Sequence, residues 1–143
     1  MLFSTATSYA LRALAFMGED GRLELSRNLA DRLRLPGPYL AKILQSLAQA
    51  GILASVRGPK GGFRLARPAQ DITVGEILVA LEGPHALEGC IMGFPDCGCD
   101  HPCPLHGAWS EVKAHLQASL TQATIQDLRT HLPGTPPRAA CLR

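Results

Sequence analysis

The sequence predicts a mainly α-helical protein with one small β-hairpin, and three observations predict this class. Apolar residues recur at helical spacing in five segments, the first beginning near Ser4 and the last ending near Leu132. Two short apolar segments flank a glycine-rich run, Gly58–Gly62, as in a β-hairpin. A cysteine-rich stretch without periodicity, Gly89–Pro104, separates the last two helical segments. The 143 residues are enough for one domain with a core, or for a small domain plus an extension.

The first three helices have recognisable starts and stops. Ser4 and Thr5 can cap the first helix, and Ser26 can cap the second. Pro38 suits the first turn of the third helix, and Gly51 is a natural stop for it. The apolar face of the third helix has the spacing i, i+3, i+4, i+7, in the residues Leu40, Ile43, Leu44 and Leu47. Its other face carries hydrogen-bonding groups without an acid, namely Tyr39, Lys42, Gln45, Ser46 and Gln49. Such a face suits contact with phosphates and base edges.

A basic hairpin follows the third helix. Ile52–Arg57 and Phe63–Arg67 are predicted to be two short strands, joined by the glycine-rich tip. Four cations lie on or beside this hairpin, namely Arg57, Lys60, Arg64 and Arg67. Three helices followed by a basic hairpin predict a winged helix-turn-helix domain, with the third helix in the major groove and the wing on the backbone or minor groove. Double-stranded DNA is the partner that this arrangement predicts.

The second half of the chain predicts a capped helix and a long amphipathic one. Thr73-Val74-Gly75-Glu76 is a capping box, and Pro84 ends the helix that it starts. The segment from Leu105 to about Leu132 has one apolar stripe and would be about 40 Å long as a helix. A helix of that kind needs a partner, and the same helix of a second subunit is the expected one. The alternative is that it folds back on its own domain. The tail, residues 133–143, is expected to be disordered.

Charge and composition narrow the classes of function. Residues 1–70 hold ten Lys or Arg and four Asp or Glu, whereas residues 71–143 hold four and eight, so the first half is the one expected to approach a polyanion. The apolar runs are short and interrupted, so we expect no membrane span, and without an export signal we expect a cytoplasmic location. No nucleotide-binding glycine loop, catalytic triad or metalloprotease motif is present, so we expect no enzyme.

Four of the five cysteines lie within fourteen residues, and histidines are interleaved with them: Cys90, Cys97, Cys99, His101, Cys103 and His106. Such clustering in a reducing compartment favours a metal or redox site. Thiolates and imidazoles are ligands for iron–sulfur clusters and for zinc. A tetrahedral zinc site, a reversible disulfide and a loop of idle thiols are the alternatives. Cys141 is expected to be an isolated thiol.

The sequence resembles the IscR/NsrR family of bacterial regulators over about residues 2–130. Four segments carry the resemblance, namely Tyr9–Leu14, Pro38–Leu44, the wing Ser55–Leu65, and the cysteine loop with Pro104-Leu105-His106 and Trp109. The resemblance implies a homodimer with a crossed pair of long helices that binds imperfectly palindromic promoter sites. It implies that Arg57 reaches the minor groove. Ala41 stands where some relatives carry an acidic residue used in base discrimination, so the target sequence does not transfer.

The resemblance also assigns the site residues. DNA-binding roles fall to Tyr39, Lys42, Gln45, Ser46, Arg57, Lys60 and Arg64. The cysteine pattern is similar to the family's three-cysteine cluster motif, which makes Cys90, Cys97 and Cys103 the ligands. In some members a histidine placed like His106 completes a two-iron (2Fe–2S) cluster, which is favoured here over a 4Fe–4S cluster. Other members use an acid from the partner's first helix, where this chain has Ser8; the fourth ligand is then His106, Cys99 or an exogenous group.

These inferences combine into one predicted organisation. Residues 1–82 form the winged helix-turn-helix domain, 83–104 a cysteine-rich sensor loop, 105–132 a dimerisation helix and 133–143 the tail. The expected function is a DNA-binding regulator, a repressor, whose promoter binding is controlled by an iron–sulfur cluster that responds to redox state, nitric oxide or iron–sulfur status. The alternatives are a DNA-binding regulator with a structural zinc or thiol–disulfide site, and a small iron–sulfur electron carrier.

Overall fold

A computed structural model describes residues 3–18, 21–95, 100 and 102–131 of the chain. Over these residues the helices are α1 (Thr5–Phe16), α2 (Ser26–Leu33), α3 (Gly37–Gln49), α4 (Val74–Glu82), α5 (His106–Gln122) and α6 (Ile125–His131). Two strands, β1 (Leu53–Val56) and β2 (Gly62–Leu65), form an antiparallel sheet, and a short 3₁₀ helix spans Ala69–Asp71. The predicted class, mainly α with one small hairpin, is confirmed.

The starts of the first two helices test the predicted caps. Ser4 caps α1, since its hydroxyl accepts a hydrogen bond from the Thr7 N–H at 3.2 Å. The predicted cap of α2 is wrong, because Ser26 is already helical and extended Leu25 precedes it without a side-chain cap. The cause lies one residue earlier, where Glu24 exchanges two 2.8 Å backbone hydrogen bonds with Phe63 and so sets where the helix begins.

One apolar core joins α1, α2, α3 and the base of the hairpin. The four residues predicted for the apolar face of α3 are all buried, namely Leu40, Ile43, Leu44 and Leu47. They pack against a cluster that includes Ala10 and Leu14 of α1 and Leu29 and Leu33 of α2. Burial of this stripe fixes the rotation of α3 and therefore decides which side chains point outward.

The wing is a short hairpin in which Leu53 pairs with Leu65 and Val56 with Gly62. Its turn requires glycine at two positions. A Cβ at Gly61 would lie 2.1 Å from the Val56 carbonyl oxygen, and one at Gly62 (φ +142°) would lie 2.6 Å from the Glu24 carbonyl oxygen. Glycine is therefore required at the tip for two reasons: other backbone segments approach it closely, and the turn needs conformations that other residues rarely adopt.

The long helix predicted from Leu105 to about Leu132 is wrong as a single helix, because the structure divides it into α5 and α6. Thr124 ends the first helix by capping the second: Asp127 accepts from the Thr124 N–H at 2.8 Å, and the Thr124 hydroxyl accepts from the Asp127 N–H at 3.2 Å. Backbone hydrogen bonds from Val74 to Ala123 and from Ile125 to Ile72 hold the break against the start of α4. Helix α6 packs on α1, so this part of the segment folds back on its own domain.

Several predictions fall outside the residues that the structure describes. These are the disordered tail at residues 133–143 and the candidate ligands Cys97 and Cys99, together with His101 and Cys141. The division into domains at residues 82, 104 and 132 stays a prediction. Among the described helices, none has the length and apolar character needed to cross a bilayer.

Candidate nucleic-acid interface and cysteine loop

The outward face of α3 presents the polar side chains that the sequence analysis selected. Tyr39, Lys42, Gln45 and Ser46 are all exposed, on the side of the helix opposite the buried stripe. The ring of Tyr39 makes an edge contact with Tyr9 of α1, with 5.9 Å between centroids. The Ser46 hydroxyl donates to the Lys42 carbonyl at 3.1 Å. The Ser46 oxygen can still accept a hydrogen bond, and Lys42 and Gln45 can donate, so the face offers both donors and acceptors.

Three of the four hairpin cations are exposed and available, namely Arg57, Lys60 and Arg64. No carboxylate in the described part of the chain forms an ion pair with any of them. Arg67 differs, because it pairs with Glu76 at 2.8 Å and donates to the Asp71 carbonyl at 3.0 Å. Arg67 therefore fastens the base of the wing to α4, and only the other three cations form the exposed basic wing.

Other arginines in the basic half also act inside the fold. Arg12 donates to the Leu33 carbonyl at 3.0 Å, and Arg32 pairs with Glu24 at 2.7 Å. The net charge of residues 1–70 therefore overestimates the number of cations that are available to bind DNA. Arg34 is a further exposed cation, which lies in the turn before α3 and has a left-handed backbone (φ 54°).

The cysteine loop connects α4 to α5, and its two described thiols are both half-buried. The Met92 N–H donates to Cys90 Sγ at 3.3 Å. The carbonyl of Cys103 accepts from the His106 N–H at 3.0 Å, at the first residue of α5. The structure thus places Cys103 and His106 in one turn, while Cys97 and Cys99 lie outside the described residues. Within the described ranges, no group of three or more possible metal ligands is gathered. The donor groups themselves are thiols and an imidazole, and a backbone N–H is directed at the sulfur of Cys90; such a set fits an iron–sulfur cluster or zinc.

Two side chains of α5 hold the backbone just before Cys90. Trp109 Nε1 donates to the Gly89 carbonyl at 2.9 Å, and Lys113 Nζ donates to the Glu88 carbonyl at 3.3 Å. The carboxylate of Glu88 is occupied elsewhere, by His85 at 2.5 Å. The start of the cysteine loop is therefore attached to α5 through main-chain carbonyls.

A carboxylate links the end of α4 to the start of α1. Glu82 accepts from the Ser4 N–H at 2.8 Å and from the Thr7 hydroxyl at 2.5 Å. Partial burial acts to raise the pKa of Glu82, but the hydrogen bonds from Thr7 and Ser4 outweigh it and hold that pKa below its ordinary value. The cysteine loop follows directly after α4. The contacts of Glu82 with Ser4 and Thr7 therefore hold the start of the loop against α1.

The cysteine loop and α5 expose large apolar side chains. Ile91, Met92 and Phe94 are 54–61% exposed in the loop, and Leu105 and Val112 are 48% and 53% exposed at α5. Only Leu120 is buried among the seventeen residues of α5. The predicted apolar stripe is divided, since Leu116 and Leu120 pack against Val74 and Leu78 of α4 while Val112 faces outward. This surface has the composition of a contact surface that a single chain leaves uncovered.

Comparison with known proteins adds independent information. The sequence profile of the Rrf2 family, described as an iron-dependent transcriptional regulator, matches residues 3–131. An HTH-type transcriptional regulator of Aquifex aeolicus is 35% identical over 131 residues, which cover 90% of this chain and 91% of the relative. The transcriptional regulator IscR of Photobacterium profundum is 30% identical over 131 residues, covering 90% of this chain and 75% of the relative. Among solved structures, CymR, the global cysteine regulator of B. subtilis, aligns with a TM-score of 0.75 at 23% identity, covering 91% of this chain and 97% of that one.

Proposed function

The chain belongs to the Rrf2 family of winged-helix transcriptional regulators, and we propose that an iron–sulfur cluster held in its cysteine loop controls its binding to promoter DNA. The resemblance noted in the sequence is thereby confirmed at the level of family and fold. The relatives are regulators of transcription, so the chain is a DNA-binding protein and not an enzyme.

DNA is read by the outward face of α3 and by the wing. Tyr39, Lys42, Gln45 and Ser46 contact base edges and phosphates in the major groove, and Arg57, Lys60 and Arg64 contact the backbone and minor groove. Support comes from the exposure of all seven side chains and from the absence of ion-paired carboxylates on the wing cations within the described residues. Bound near a promoter, the protein acts as a repressor.

The cofactor is held by Cys90, Cys97 and Cys103, with His106 as the fourth ligand and Cys99 as the alternative. When bound, a 2Fe–2S cluster supplies a centre that reacts with oxidants or nitric oxide and that depends on iron–sulfur supply. Cys103 and His106 support this assignment because they lie in one turn at the start of α5. A cytoplasmic location, where thiols stay reduced, suits these ligands.

A second copy of the chain covers the outward face of α5. The face has the residues Leu105, Ala108, Val112, His115 and Ser119, and all of them are exposed. A seventeen-residue helix with one buried side chain is not stabilised by its own chain alone. In a homodimer the two recognition helices then reach half-sites about 34–36 Å apart.

The observation that carries the proposal is that α5 is shared by both parts of the mechanism. Its inner face holds the cysteine loop through His106, Trp109 and Lys113, and its outer face forms the proposed seam between subunits. A displacement of Cys103 or His106 is therefore carried into the helix that sets the angle between the two winged-helix domains. That angle decides whether both recognition helices fit the same DNA.

The test is an absorption spectrum of anaerobically purified protein, with iron, sulfide and zinc assayed on the same sample. Visible charge-transfer absorption with matched iron and sulfide, together with different promoter affinities of loaded and cluster-free protein, is the expected result. Equal affinities of the two forms would overturn cluster control. A colourless protein with about one zinc per chain would replace the cluster by a structural zinc site. A metal-free protein whose affinity changes on oxidation would replace it by a disulfide switch.

A further inference from the structure

Trp109 and Lys113 lie four residues apart on the inner face of α5 and reach consecutive carbonyls of the same segment. Trp109 Nε1 is 2.9 Å from the Gly89 oxygen, and Lys113 Nζ is 3.3 Å from the Glu88 oxygen. Residues at this spacing are neighbours on one helix face, so the two donors act on one stretch of chain. The next residue of that stretch is Cys90.

The choice of acceptor argues against an ordinary surface ion pair. Glu88 offers Lys113 both a side-chain carboxylate and a main-chain carbonyl, and Lys113 donates to the carbonyl. The carboxylate is paired with His85, three residues back along the chain. Both donors of α5 therefore bind main-chain carbonyls. The Gly89 carbonyl belongs to the peptide unit that leads directly into Cys90, so its position determines the position of Cys90.

The segment beyond Cys90 begins with a turn that is built on Cys90 itself. The Gly93 N–H donates to the Cys90 carbonyl at 3.0 Å, and the Met92 N–H donates to its sulfur at 3.3 Å, so the turn that orients Cys90 is built on the residue itself. The side chains that follow are exposed, since Ile91, Met92 and Phe94 are each more than half exposed. Among the described residues, the two hydrogen bonds before this turn attach the segment to α5.

We infer that Trp109 and Lys113 are positioning residues that fix the backbone at Cys90 relative to His106 on the same helix. We call this pair the α5 clamp. Its effect on the cofactor rests on the proposed function, but its effect on the Cys90 thiol does not. Because two of the other proposed ligands, Cys103 and His106, lie in the turn that starts α5, the clamp ties Cys90 to the same helix that follows these two ligands.

The experiment compares Trp109→Phe and Lys113→Met, which remove one donor each while keeping most of the apolar volume. In cluster-free protein, the rate of iodoacetamide labelling at Cys90 is measured by peptide mass spectrometry, with the half-buried Cys103 as the internal reference. Each variant is expected to raise the Cys90 rate about fivefold relative to Cys103, the factor that corresponds to one hydrogen bond of typical net strength. Lys113→Arg, which keeps a donor, is expected to restore the wild-type ratio, and Glu111→Gln on the exposed side of α5 is expected to leave it unchanged.

In cluster-loaded protein the same variants are expected to change the visible circular dichroism and to lose iron to a chelator about fivefold faster. Thermal unfolding is followed in parallel. Unchanged Cys90 labelling in both variants would overturn the clamp. A common rise at Cys90 and Cys103 with a lower unfolding midpoint would also overturn it, because Trp109 and Lys113 would then only pack the helix. If the wild type takes up no cluster, the proposed function fails, and the labelling ratio still decides the clamp.

Discussion

The winged-helix part and the cysteine loop with α5 differ in how far their own chain completes them. In the first, one buried cluster of eighteen residues joins α1, α2, α3 and the hairpin with residues of α4 and α6, and five exposed polar residues remain on one side of α3. In the second, α5 buries one side chain, and large apolar groups such as Phe94 and Val112 face outward. The first part is held rigid by its own core, whereas the second has an exposed apolar surface that is typical of contact with a partner.

This difference indicates where control is expected to act. A reading surface needs fixed geometry, because half-site spacing tolerates little movement. A sensing element needs two arrangements of similar free energy, and these come from regions with few buried apolar contacts. The proposed metal and the proposed second subunit are the two partners that complete the less packed part. Each can be removed separately.

Removing a ligand is expected to give the largest effect. Cys103→Ser replaces a thiolate at the start of α5 by a weak ligand, so cluster iron per chain is expected to fall to background. Iron, sulfide and visible absorbance measure it, and far-ultraviolet circular dichroism is expected to stay unchanged because the winged-helix core does not include the loop. Cys141→Ser serves as the control and is expected to retain the cluster. Full iron content in the Cys103 variant would remove that residue from the ligand set.

The outward face of α5 provides the next test of the less packed part. Val112→Asp introduces a charge into the proposed seam, and the dimer dissociation constant is expected to rise about a hundredfold or more, since an unpaired buried charge costs several kcal/mol. Sedimentation equilibrium measures it. Ala114→Asp is the matched control, because Ala114 is also exposed but lies on the opposite side of the helix. Equal weakening by both substitutions would place the subunit contact elsewhere.

The sequence predicted the winged-helix part in detail because its signals are local. The heptad-like spacing of α3, the Thr73–Glu76 capping box and the glycines of the wing each determine a structure within a few residues. The single long helix was wrong for a local reason as well. Thr124-Ile125-Gln126-Asp127 is a second capping box, with aspartate in place of glutamate, and its signal was hidden inside an apolar stripe that continued at helical spacing.

The candidate site was predictable only in part, and the reason is long-range contact. Exposure of Arg57, Lys60 and Arg64 agrees with their selection, but Arg67 looks identical in sequence and is occupied by Glu76. The misplaced cap at Ser26 arises from the pairing of Glu24 with Phe63, residues far apart in the chain. Likewise, the attachment of Trp109 and Lys113 to carbonyls twenty or more residues away leaves no periodic trace.

The wing supplies a test of the well-packed part. Arg57→Ala is expected to weaken promoter binding about tenfold or more and to lower the slope of log affinity against log salt by about one if the contact is to phosphate. Fluorescence anisotropy at several salt concentrations measures both quantities, with the dimer constant unchanged. Arg67→Met is the matched control, since it removes a neighbouring cation that is already paired with Glu76. It is expected to lower stability slightly and to leave the salt slope unchanged. Unchanged affinity in the Arg57 variant would mean that the wing does not contact DNA.

The smallest expected effect is a pH dependence inside the well-packed part. The Thr73 backbone N–H, and after it Arg67, hold the pKa of Glu76 below its ordinary value despite an opposing contribution from burial. A carboxyl whose pKa is lower in the folded state stabilises the protein above its unfolded pKa, and this contribution is lost as pH falls through the folded value. The contribution is expected to stay below about 1 kcal/mol, because the Glu76 side chain is 40% exposed and solvent screens it. Urea unfolding of wild type and Glu76→Gln is therefore expected to differ at pH 7, and the difference is expected to shrink as pH falls below the ordinary glutamate pKa of about 4.3. A constant difference across this range would mean that Glu76 acts through packing rather than through its charge, and the link between wing and α4 would then be independent of pH.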